Sequence, residues 1–73
     1  MQTDWPVLRV RKGKVFFKIT PVQAEDGLFD IFIENEKGNV LIATKRTFED
    51  SFEDINALAT VFGVLGYVIE HRF

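Results

Sequence analysis

Arg9 and Arg11 stand two residues apart, and Lys18 stands two beyond Phe16. In extended backbone a two-residue step returns a side chain to the same face. Lys12 and Lys14 fall between these positions. Cations gathered round a ring suit two kinds of contact. They meet phosphates while the ring stacks on a base. They also rim an apolar contact on another protein, where arginine and aromatic residues carry much of the binding energy. Bond-making chemistry is far less well supplied. The chain has one serine, Ser51, one histidine, His71, and no cysteine. A serine or cysteine nucleophile needs its base and orienting group within hydrogen-bond reach. Ser51 reads as a helix-start residue and His71 as a strand residue, so no catalytic residue is assigned and the chain reads as no enzyme.

Metal and cofactor sites meet the same scarcity. A zinc cage needs thiolates or several imidazoles. Glu49, Asp50, Glu53 and Asp54 offer oxygen ligands, but they lack the spacing of a calcium loop. Acidic residues at a helix start complement the helix dipole, and that is the reading given to them. The glycines, at 13, 27, 38, 63 and 66, punctuate elements and form no phosphate-binding fingerprint. The expectation is a chain with no metal and no cofactor.

The elements that must hold the cations follow from periodicity. Leu8 and Val10 alternate with Arg9 and Arg11, which predicts a half-buried strand over 7–11. Lys12-Gly13-Lys14 supplies a tight reversal. Val15, Phe17 and Ile19 then alternate with Phe16, Lys18 and Thr20, and Pro21 is expected to end this second strand. A third strand is predicted over 28–34, with Phe29, Ile31 and Ile33 inward and Asp30, Phe32 and Glu34 outward. A fourth, over 40–45, is apolar on both faces, which suits a central strand. The period then lengthens. Phe48, Phe52, Ile55, Ala59 and Phe62 recur at steps of four and three, the mark of one helical stripe. Thr47 or Ser51 is available as its cap and Gly63 as its stop. The closing strand, 67–72, places Tyr67, Ile69 and His71 on one face and Val68, Glu70 and Arg72 on the other. The sum is an α+β domain, a small antiparallel β-sheet with one helix on one face, in the order β-β-β-β-α-β. One helix covers one face, so the other is open to water or to a partner.

Seventy-three residues make a single domain, 1–73, with 1–6 as an extended N-terminal arm. Trp5 precedes Pro6 in that arm, so its backbone is extended, and it joins the candidate anchors. Such a chain lies near the size at which a core alone suffices. Disulfides are unavailable, so a dense core or self-association must serve. Hydrophobic residues form 47% of the chain and eight residues are phenylalanine, enough for that core. The first 20 residues carry five basic side chains against one acidic, and the remainder carry four against ten. Polarised charge orients a molecule in the field of another. The N-terminus lacks a basic start with an apolar run, and the most apolar stretch, 57–69, is too short to cross a bilayer. The expected location is the cytoplasm, away from membranes.

In outline the chain resembles small bacteriophage-encoded regulators that bind a host machine, notably inhibitors of bacterial RNA polymerase. The features that carry the likeness are the basic strand pair from Arg9 to Lys18, the acidic helix start from Phe48 to Asp54, and the closing strand from Gly66 to Arg72. The resemblance implies a non-catalytic protein-binding regulator that occupies a polymerase surface needed by another factor, and so modulates or inhibits transcription. The expected contact residues are Trp5, Arg9, Arg11, Lys12, Lys14, Phe16, Lys18 and Phe32. One alternative is a nucleic-acid-binding domain that uses the same hairpin. Another is a structural module that forms a homodimer through the open sheet face or an edge strand.

Overall fold

The structure is a computed structural model that describes residues 7–72. The arm with Trp5 lies outside the described residues. The elements are β1 (Leu8–Lys12), β2 (Val15–Glu25), β3 (Leu28–Asn35), β4 (Gly38–Arg46), α1 (Phe48–Val64) and β5 (Val68–Arg72). All the strands pair antiparallel in one sheet of order β4-β3-β2-β1-β5. The fold is thus α+β, with the helix after the fourth strand, as the periodicity predicts.

Alternation builds the core. Leu8 and Val10 of β1, Ile19 of β2 and Ile31 of β3 point to one side of the sheet and are fully buried. Ile55, Ala59 and Phe62 of α1 close over them. Each large aliphatic side chain sealed this way contributes about 1.5–3 kcal/mol. The helix stripe differs from expectation at its start. Ser51, not Phe48 or Phe52, fills the first core position, and its Oγ donates to the Phe48 carbonyl at 2.7 Å. The hydroxyl is small enough to fit under the helix and finds its partner within the turn. Phe48 instead meets the Phe29 and Phe52 rings at 5.9 and 6.1 Å.

The helix ends are explicit. Thr47 is the N-cap, accepting from the Asp50 N–H at 3.1 Å. Gly63 does not stop the helix. The stop comes at Gly66, whose φ of +93° suits a residue without Cβ. There the Tyr67 N–H donates to the Phe62 carbonyl and the Gly66 N–H to the Gly63 carbonyl, at 2.9 and 3.1 Å. The Tyr67 ring packs on Phe62, 5.1 Å between centroids, which completes a Schellman closure.

Three further departures from simple alternation matter for the surface. Pro21 does not end β2; it is buried and opposite Ile31. β1 begins at Leu8, opposite Ile19, so beyond that point β2 has no described neighbour on the β1 side and a missing N–H breaks no ladder there. β4 is an edge strand, not a central one, although it is apolar on both faces. Two register shifts against β3, one near Ile42 and one near Lys45, bend it, and Lys45 takes a φ of +57°. Finally, β5 carries a bulge opposite Arg9 and Val10. His71 therefore stands opposite Arg9 on the face away from the helix, while Arg72 turns to the helix side and reaches Asn56. That reverses the faces expected for both residues.

Candidate partner-binding face

The face of the sheet away from α1 is built by the alternate residues of every strand. Arg9 and Arg11 come from β1, Phe16, Lys18, Thr20 and Val22 from β2, and Asp30, Phe32 and Glu34 from β3. Registration sets them in rows. One row reads His71, Arg9, Lys18, Glu34, Asn39 across five strands. The next reads Thr20, Phe32, Leu41. The third begins with Val68, Arg11 and Phe16.

Within this frame the expected contact residues separate. Arg11 is occupied by the fold. Its Nε donates to Glu70 at 2.7 Å, and its guanidinium lies 5.4 Å from the centre of the Phe16 ring. Lys12 is occupied too. Its Nζ donates to the Leu65 carbonyl at 2.9 Å and lies 5.8 Å from the Tyr67 ring. A cation at a helix C-terminus satisfies an orphan carbonyl and complements the dipole; α1 supplies none from its own last turn. Lys14 sits in the exposed turn between β1 and β2. Arg9 and Lys18 have no ion-pair partner among the described residues. They face each other directly across β1 and β2, with His71 on the other flank of Arg9. Like charges placed opposite one another weaken a strand pair. A shallow depression of about 230 Å³ opens here, lined by Arg9, Arg11, Phe16, Lys18 and Glu70.

The rings are neither sealed nor bare. Phe16 and Phe32 are half-buried on this face. Leu41 lies beside Phe32 and Val68 beside Arg11, both exposed, so apolar surface continues onto the two edge strands. Leu41 was hidden in the sequence by the two-sided apolar pattern of β4, which gives no sign of which side meets water. Val68 was visible by alternation. Asp30 adds a buried Oδ1 with no hydrogen-bond partner among the described groups.

Catalytic pieces are not brought together. Ser51 is sealed under the helix, while His71 stands on the opposite side of the sheet on an edge strand. Asp54 of the acidic helix start is engaged by Arg46, through Nε at 2.7 Å and Nη2 at 3.3 Å. That hydrogen bond, and the charge behind it, hold the Arg46 guanidinium above its ordinary pKa. Among the described residues no three acidic or histidine side chains gather to hold a metal ion. No helix among them is long and apolar enough to cross a membrane. The chain matches no known family model, no curated protein and no solved structure.

Proposed function

We propose that this chain is a non-catalytic binding protein whose helix-free sheet face seats on an acidic surface of a larger protein complex and regulates it by occupancy. The observation that carries the reading is the juxtaposition of Arg9 and Lys18. Two cations held side by side with no ion-pair partner among the described residues oppose the strand pairing they sit on, although Glu34 stands across from Lys18 on the next strand. An anionic surface relieves that repulsion, and the half-buried Phe16 and Phe32 with the exposed Leu41 supply the apolar centre that a stable contact needs. Charge at the rim speeds encounter and fixes orientation. The partner that the architectural resemblance points to is bacterial RNA polymerase, and transcription is then the regulated process.

The test uses purified bacterial RNA polymerase and the double variant Arg9→Glu with Lys18→Glu. Both side chains lie at the surface and neither holds the core, so the variant keeps its circular dichroism spectrum, while the row of three acids it makes with Glu34 lowers its melting temperature somewhat. Polymerase binding by the parent chain, weakened at least about tenfold in the variant, supports the reading. No binding to polymerase removes that partner. Binding to an oligonucleotide that falls steeply with salt replaces the protein partner with nucleic acid.

A further inference from the structure

A second surface lies on the other side of the molecule. α1 covers β4 only in part, and an open groove of about 640 Å³ runs between them. Ile33, Ile42, Ala43, Ala57, Leu58 and Val61 line it, and the Arg46–Asp54 ion pair closes one end. α1 also carries a second apolar stripe. Ala57, Val61 and Val64 lie at steps of four and three, about two-fifths of a turn round the helix from the core stripe. Val61 is 50% exposed and Val64 82%. A helix end that is apolar on both sides belongs in contact with something on both sides.

We propose that the occupant of this groove is a second copy of the chain, packed antiparallel about a two-fold axis. Charge is the first argument. The end of the molecule with the β1–β2 and β3–β4 turns carries Lys12, Lys14 and Lys37 against Glu36. The opposite end, with the β2–β3 turn and the start of α1, carries Glu25, Asp26, Glu49, Asp50, Glu53 and Asp54 against Lys45 and Arg46. An antiparallel pair sets the basic end of each copy over the acidic end of the other. A parallel pair stacks like on like. Self-complementarity is the second argument. The surface offers both a ridge, Val61 and Val64, and a groove beside it, which is what an isologous contact requires. Asp50, Asp54, Ala57, Val61 and Val64 follow one another along one helix face, so in the antiparallel arrangement the acidic start of each helix lies toward the basic end of the other copy. Small Ala57 at the centre permits close approach of the two helices. The bulges of β4 disfavour joining the copies strand to strand, so the contact is made by side chains. The surface lies on the far side of the sheet from Arg9 and Lys18, and the inference is independent of the partner proposed there.

The experiment is sedimentation of the full chain over a concentration series up to its solubility limit. The parent chain is expected to pass from monomer to dimer. Val61→Asp, at an exposed position that leaves the core intact, is expected to sediment as a monomer with an unchanged circular dichroism spectrum. Lys14→Glu with Lys37→Glu, which reverses the charge of the basic end, is expected to weaken the dimer at least about tenfold. Arg9→Glu with Lys18→Glu is expected to leave the dimer intact. A parent chain that stays monomeric throughout overturns the proposal. So does a dimer indifferent to Val61→Asp, or one that the Arg9 and Lys18 changes dissolve.

Discussion

Arg11 and Lys12 are neighbours in sequence and do unlike work. Arg11 ties β1 to β5 through Glu70 and lies over Phe16. Both carboxylate and guanidinium are well exposed, so this pair is worth a few tenths of a kcal/mol at most. Lys12 closes the end of α1 by donating to Leu65. Lys12→Met is expected to lower stability by about 1 kcal/mol in thermal melts. Lys14→Met, two residues on in an exposed turn, is expected to stay within about 0.5 kcal/mol of the parent. Gly66→Ala forces a Cβ into left-handed backbone and is expected to cost about 1–2 kcal/mol by the same measurement. The Arg46–Asp54 bond is stable on the alkaline side. While Asp54 is ionised, a base whose folded-state pKa is raised keeps its contribution below its unfolded value and loses it only as pH climbs through the raised one. These roles were only partly legible in the sequence. Arg9, Arg11 and Lys18 share a face by simple alternation. That Lys12 serves the helix depends on a carbonyl 53 residues away, and no local pattern encodes it.

Elements were legible where the periodicity was unbroken and misread where a single extra residue entered a strand. Up to Ile69 the alternation of β5 holds. The bulge then inverts it, and His71 and Arg72 exchange faces. β4 shows the same effect twice. Its unbroken apolar run implied burial on both sides, yet the bulges let an edge strand carry Leu41 and Ile42 at the surface while Ala43 still faces inward opposite Ile31. Bulged edges resist pairing with other chains. Deleting Ile42 restores strict alternation from Val40 to Ala43 and flattens that edge. The expected result is faster aggregation in mildly destabilising conditions, followed by thioflavin fluorescence, with the strand content of the soluble protein unchanged. Equal aggregation rates would show that the bulge offers no such protection. The helix start was legible down to its cap: Thr47→Ala is expected to cost about 1 kcal/mol, read from denaturant midpoints.

At the scale of the whole molecule, a sheet with one helix has two unlike sides, and they invite unlike contacts. The uncovered side sets Arg9 beside Lys18 and carries two rings among mixed charges; the covered side leaves an apolar trough along β4. The core between them is thin. Ile55→Ala removes the side chain at the centre of the helix stripe and is expected to destabilise by about 2–5 kcal/mol, a large part of what so small a domain has. A variant that is substantially unfolded at room temperature by circular dichroism is the anticipated outcome.

Leu8 and Arg72 sit across from one another where β1 meets β5. The strands from β1 to β4 form a meander of near neighbours, but the second border of β1 is supplied by residues some sixty positions downstream. Until those residues are synthesised, that border stays bare on the nascent polypeptide. Chain closure over such a span is slow compared with hairpin formation. A ribosome pausing before Val68 would therefore leave a partly formed sheet with a sticky margin, open to chaperones and to sibling chains emerging nearby.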